Sequence, residues 1–109
     1  MKIERRRGDT YPDVITVKNR RTGSAVNTTG CTFKLTVDSR SAPTDNSTQL
    51  YQITGSVDAP ASGEVKFAPT AEQANLVGTF YYDIEMIDSY NQIITLDSDL
   101  YIYHQDITK

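Results

Sequence analysis

One histidine and one cysteine occur in the 109 residues, and neither has the company that nucleophilic or metal chemistry needs. His104 stands in Tyr101-Ile102-Tyr103-His104-Gln105, where alternation sets it beside an inward Ile102. Without a second histidine, a conventional histidine-based metal cluster cannot be assembled. Cys31 opens an apolar strand face and reads as a small core residue rather than the partner of His104 in a nucleophile pair. The carboxylates are more numerous. Asp83 and Glu85 alternate on one strand face, Asp97 and Asp99 share a face of the next strand, and Asp88 lies between. On neighbouring strands these groups would approach and repel one another. Calcium takes about six to eight oxygens from a compact loop, and no Asp-x-Asp-x-Asp-Gly loop occurs. A glycosidase pair needs two carboxylates in differentiated surroundings, which alternation alone does not supply. The acidic positions therefore read as a solvated strand face, with no catalytic residue, metal or cofactor expected.

Binding chemistry is better represented. Five tyrosines (Tyr51, Tyr81, Tyr90, Tyr101 and Tyr103) are expected on the surface. Tyr81, Tyr101 and Tyr103 fall opposite the aliphatic residues of their strands, and aromatics are enriched at interfaces. The same rings could instead fill out cross-strand pairs. Tryptophan, a frequent sugar-stacking residue, is absent. Arg5, Arg6 and Arg7 precede Gly8 and Asp9, so the chain carries an Arg-Gly-Asp tripeptide. An adhesion tripeptide has to be displayed on a loop tip. Here it follows an alternating strand from Lys2 and precedes Pro12, so it reads as a strand-ending turn: Gly8 supplies backbone freedom, Asp9 can bond to nearby backbone, and Pro12 keeps Tyr11 extended. The arginines are expected to face the acid-rich second half of the chain, within one subunit or across two. Arg5, Arg7, Tyr81, Tyr101 and Tyr103 are the candidate interface residues.

The elements that must position these groups follow from pattern and composition. Hydrophobic residues make up 38% and charged residues 23%, a globular balance that suits a single domain over residues 1–109. Residues 1–40 hold nine Lys/Arg and four Asp/Glu, whereas residues 41–109 hold two and ten. Such asymmetry suits oppositely charged strands or complementary copies, and the acidic total argues against a nucleic-acid partner. No apolar run is long enough to cross a membrane, and the residues after Met1 are charged rather than leader-like. A lone cysteine allows no internal disulfide, so a soluble protein of a reducing cytoplasm is expected, and the two Asn-x-Ser/Thr sequences read as incidental.

Apolar residues alternate nearly throughout. Cys31, Phe33, Leu35 and Val37 share a face, as do Phe80, Tyr82, Ile84 and Met86. Ile94, Leu96, Leu100 and Ile102 are read as one inward set, with Thr95, Asp97, Asp99, Tyr101 and Tyr103 outward. Shorter strands fit Asp13–Lys18, Thr48–Gly55 and Gly63–Ala68, with Val65 and Phe67 inward. Breaker clusters separate them, and only residues 69–78 read as helical, through a Thr70/Gln73 capping box that follows Pro69 and precedes Gly78. The fold class is all-β: an antiparallel β-sandwich of about seven strands with one short helical connector.

Taken in order, these segments resemble the immunoglobulin-like domains of tailed-phage structural proteins, especially the N-terminal domain of phage baseplate upper proteins. The likeness runs from Ile3-Glu4-Arg5-Arg6-Arg7-Gly8-Asp9-Thr10, through Val26-Asn27-Thr28-Thr29-Gly30 before the Cys31–Leu35 strand, to Gly78-Thr79-Phe80-Tyr81-Tyr82-Asp83-Ile84 and a closing Asp106-Ile107-Thr108. The polar loop Ser41-Ala42-Pro43-Thr44-Asp45-Asn46-Ser47-Thr48-Gln49 departs from it, as does the end of the chain at Lys109. The resemblance implies a non-enzymatic virion component, made in the bacterial host cytoplasm, that docks onto tail, baseplate or fibre proteins and could form a homo-oligomer. If complete, the chain would be an accessory or adaptor consisting of the module alone. A carbohydrate- or host-surface-binding module using the tyrosine face is the alternative.

Overall fold

A computed structural model describes residues 2–105. It contains seven strands: β1 (Ile3–Arg6), β2 (Asp13–Thr16), β3 (Thr32–Asp38), β4 (Gln49–Thr54), β5 (Glu64–Phe67), β6 (Gly78–Ile87) and β7 (Ile93–His104). Five of them form one sheet in the order β1-β7-β6-β3-β4, and β2 pairs with β5 in a second. The all-β sandwich expected from the alternation is the fold observed.

The pairing is antiparallel except at one place. β1 runs parallel to the last part of β7, from Ile3 beside Tyr101 to Arg6 beside His104. The helical connector also differs from expectation. Thr70 Oγ1 accepts from the Gln73 N–H at 3.1 Å and Gln73 Oε1 accepts from the Thr70 N–H at 2.9 Å, so the capping box forms. It caps a single turn closed by the Ala74 N–H to Thr70 C=O bond, and no helix propagates from it. One short turn cannot offset the entropy of helix nucleation unless packing extends it. The short helix of the described residues is a 3-10 helix at Pro60–Ser62, in a segment whose Pro and Gly read only as turn formers.

The core forms where the alternating faces meet. Phe33, Leu35 and Val37 of β3, Ile84 of β6, and Val65 and Phe67 of β5 are almost completely excluded from solvent. Gly55, just after β4, sits where core side chains of β3 and β5 press against the backbone. A methyl there would lie 2.6 Å from Val65 Cγ1, 2.9 Å from Phe67 Cε1 and 3.0 Å from Phe33 Cβ.

β7 is where simple alternation fails. Opposite β6, Ile84 faces Asp97 and Glu85 faces Thr95, so Leu96 is an extra residue. This β-bulge reverses the phase of everything that follows. Ile94 points to the inner face with Met86, but beyond Leu96 the inner positions are Asp97, Asp99, Tyr101 and Tyr103. The inward reading of Leu100 and Ile102, and of His104 beside Ile102, is thereby corrected. Tyr101 and Tyr103 are core residues, 0% and 1% exposed.

Candidate interaction surfaces

The inner face of β1 brings Arg5 into the core, since Ile3 and Arg5 lie beside Tyr101 and Tyr103. Arg5 is not an interface residue: its side chain is fully buried. Its Nη1 donates to Asp13 Oδ1 at 2.8 Å, across to the second sheet. Nη2 donates to the backbone carbonyls of Asp9 (2.9 Å) and Tyr11 (2.5 Å), and the Tyr11 ring lies 4.0 Å from the guanidinium carbon. The Tyr101 hydroxyl donates to the other Asp13 oxygen. Asp13 thus ties β2 to β1 and β7 at once. Its position in the basic first half of the chain corrects the expectation that Arg5 faces the acidic half.

Four tyrosines build the rest of this cluster. The Tyr51 and Tyr103 hydroxyls share a hydrogen bond at 2.7 Å, and Tyr82 donates to Asp97 Oδ2 at 2.7 Å. Tyr101 meets Tyr51 and Tyr82 edge-on, with ring centroids 6.5 and 5.8 Å apart. Tyr51, expected on the surface, is buried with them. Burial pulls the Arg5 guanidinium down, but Tyr101 and Asp13 outweigh it and the pKa ends above its ordinary value. Burial also raises all four phenols, for Tyr101 together with the nearby Tyr51 and Asp13, for Tyr82 together with Asp97.

This has a measurable consequence. A raised phenol pKa means that the folded chain holds protons the unfolded chain would release above pH about 10. The stabilisation is complete below that pH and is lost as the pH rises through it. Tyrosinate absorbance is expected to show these four groups ionising only together with loss of the far-ultraviolet β signal. Their ionisation in a chain that keeps its circular dichroism would contradict the buried cluster.

The Arg-Gly-Asp segment is the turn the sequence suggests. Arg6 C=O accepts from the Asp9 N–H at 3.2 Å, and Gly8 takes φ +83° at the third turn position, where a side chain would be strained. Arg7 is half-buried, its N–H donating to His104 C=O at 2.9 Å, while the Gly8 N–H donates to Ala74 C=O at 2.8 Å. The tripeptide is packed against the Thr70–Ala74 turn, not displayed. Arg6 reaches the Gln105 carbonyl at 3.3 Å.

The candidate chemistry disperses. His104 is exposed and lies 3.1 Å from Glu4, at the end of β7 remote from Cys31. Asp83 and Glu85 are on the outer face and Asp97 and Asp99 on the inner one, so the two pairs do not converge as the sequence suggested. Among the described residues no three of His, Cys, Asp and Glu gather as a metal site would need, and no helix is long and apolar enough to cross a membrane.

Two surface features remain. Among the described residues β1 covers β7 only at Tyr101–His104, leaving Ile93–Leu100 without a strand on that side. Between this edge and β2 lies a cavity of about 410 Å³ lined by Val14, Ile15, Val17, Leu96 and Asp97. The β6–β7 hairpin continues past it to a tip held by Asp88, whose Oδ1 accepts from the Tyr90 and Gln92 N–H groups at 2.9 Å. Tyr90 is 84% and Ile93 67% exposed there, an apolar surface that neither turn chemistry nor the core explains.

The second feature is on the outer face of the five-stranded sheet, where Tyr81 stands half-buried. An open cavity of about 260 Å³ is lined by Thr36, Tyr81, Asp83, Thr95 and Ser98 of the sheet and by Arg40, Ser41 and Pro43 of the β3–β4 loop. Of the five candidate interface residues, Tyr81 lines this cavity, and Arg7 lines another beside Gly8, Ala71 and Glu72. Tyr90, the most exposed aromatic, carried a signal in its position within the breaker sequence Ser89-Tyr90-Asn91.

No protein-family model and no curated protein matches the chain. Solved structures share its fold. The N-terminal domain of phage TP901-1 ORF48 is 13% identical with a TM-score of 0.55, over 95% of this chain and 85% of that one. CopC from Methylosinus trichosporium OB3b is 13% identical with a TM-score of 0.52, over 99% of this chain and 88% of that one. At this identity the likeness is one of fold, and a phage domain is among the structures that share it; the closing Asp106-Ile107-Thr108 of the sequence resemblance lies outside the described residues.

Proposed function

We propose that the chain is a non-enzymatic virion structural or adaptor domain, associated with a tail, baseplate or fibre, that acts by docking onto other virion proteins. One observation carries this reading: the exposed apolar end of the β6–β7 hairpin, with Tyr90, Ile93 and Ile94, adjoins a β7 edge open over Ile93–Leu100. An open edge offers main-chain hydrogen bonds to an extended segment, and apolar side chains beside it supply the area that stabilises the pairing. The fold shared with a phage domain supports the virion setting.

Mass spectrometry of purified particles tests the assignment. The chain is expected in stoichiometric amount, and a double Tyr90→Ser, Ile93→Ser variant is expected to be made and folded but excluded from particles. Absence of the parent chain from virions, or normal incorporation of the double variant, would overturn the proposal. Light scattering of the isolated chain separates docking onto a different protein from assembly of copies.

A further inference from the structure

The cavity on the outer face of the large sheet has the make-up of a small-ligand site. Its floor is a row across three strands, Thr36 beside Asp83 and Asp83 beside Ser98. Tyr81 precedes Asp83 by two residues on the same face, which puts its ring about 7 Å along the strand. The roof is the β3–β4 loop, which Asp38 holds in place. That residue is 6% exposed, and its Oδ1 accepts from Thr48 Oγ1 at 2.6 Å and from the Arg40 N–H at 2.9 Å. The Ser39 N–H to Thr48 C=O bond closes the base of the loop at 3.3 Å. Arg40 and Pro43 are therefore brought over the sheet by a buried carboxylate, not by the loop's own preferences.

Asp83 is the group in this cavity that the fold does not use. It is half-buried, and among the described residues no hydrogen bond reaches its carboxylate. Burial and the neighbouring Glu85 raise its pKa, so the fold holds this charge at a cost. A half-buried acceptor without a donor is unfavourable unless water or a ligand completes it. The chemistry around it narrows the ligand. Arg40 disfavours an ammonium ion, Asp38 and Asp83 disfavour phosphate, and the hydroxyls of Thr36, Thr95 and Ser98 give an apolar group nothing. Ligand sites for drug-sized molecules hold about 300–1,000 Å³, so 260 Å³ suits a single small ring.

We infer that this cavity binds an uncharged, hydroxyl-rich ring, a pyranose residue of a glycan, with two hydroxyls donating to Asp83, a third accepting from Arg40, and the ring's apolar face on Tyr81. The cavity is centred on Tyr81 and Asp83, away from the hairpin tip at Tyr90 and Ile93, and it meets the open β7 edge only through Thr95 and Ser98.

The test is an amide chemical-shift titration of the full chain with glucose, galactose, N-acetylglucosamine and rhamnose, with glycerol as the non-ring control. At least one sugar is expected to shift Thr36, Arg40, Tyr81, Asp83 and Ser98 saturably, with a Kd on the order of 1 mM as befits one ring. Asp83→Asn and Tyr81→Ala should each weaken binding at least tenfold, and Tyr81→Phe should retain it. Glu85→Gln, on the same strand face but outside the cavity, should leave it unchanged. Spectra unchanged away from the cavity show that each variant is folded. Absence of saturable shifts with all four sugars, equal shifts with glycerol, or parental binding by both Asp83→Asn and Tyr81→Ala would overturn the inference. None of these results bears on whether the chain enters the virion.

Discussion

Replacing Asp13 with alanine is expected to destabilise the domain by about 3–5 kcal/mol, the usual cost of removing one partner from a buried ion pair. The variant leaves a guanidinium with 0% side-chain exposure facing only two carbonyls and an aromatic ring, and it strips the Tyr101 hydroxyl of its acceptor. Arg5 Nε already lacks a hydrogen-bond partner among the described residues, so the variant adds a second unmet donor to the same guanidinium. A domain of this size is stable by about 5–15 kcal/mol, and the variant would fall near the threshold of folding. Chemical denaturation followed by tyrosine emission measures it, since the chain has no tryptophan. The paired change Arg5→Met with Asp13→Leu separates charge from shape. Removing both charges together is often neutral or stabilising, so the double variant should recover most of the loss. If Asp13→Ala alone costs less than about 1 kcal/mol, the pair is solvated rather than buried and the account of this cluster fails.

Gly55→Ala is the second large effect, expected at about 3 kcal/mol, the upper end for an overpacked core. The backbone at Gly55 is ordinary, with no positive φ, so the cost is wholly steric. All three atoms the new methyl would meet belong to residues no more than 1% exposed, and none is the free end of a flexible chain. Gly23→Ala provides the contrast. Open space surrounds Gly23, but its φ is +71°, so alanine there costs only backbone strain of about 1–2 kcal/mol. The two midpoints in urea should therefore separate, with Gly55→Ala the lower. A reversed order would mean that the layers can part at Gly55 to admit a methyl.

Where the chain is one uninterrupted strand, its apolar alternation shows which face is buried, as in Phe33, Leu35 and Val37 or Val65 and Phe67. It misleads in β7 because one extra residue, Leu96, inverts the phase, and the sequence around it hides the insertion. Leu100 and Ile102 look as apolar as Tyr101 and Tyr103. What decides between them is the hydroxyl's partner, Asp13 or Tyr51, each contributed by a distant strand. Arg5 was more readable than it seemed. In Ile3-Glu4-Arg5 it shares the inward side with Ile3, but a buried arginine is acceptable only beside an acid that sequence spacing does not place there. The outer-face cavity was half visible: Tyr81 and Asp83 stand two apart in the sequence, whereas the loop that roofs them is held by a carboxylate at Asp38 whose role only the fold reveals.

The parallel pairing of β1 with β7 bears on how the domain carries mechanical load. Tension entering at Ile3 and leaving at His104 pulls the two strands along their length in opposite senses, so the rungs from Ile3–Tyr101 to Arg6–His104 are strained together in shear. An antiparallel pair pulled from one end would instead unzip rung by rung. Behind those rungs, Arg5 is anchored through Asp13 to the second sheet, so sliding β1 along β7 also requires extracting a buried charge. The first and last strands of the described residues thus form a force-bearing clamp, in which all four rungs and a buried ion pair resist sliding together.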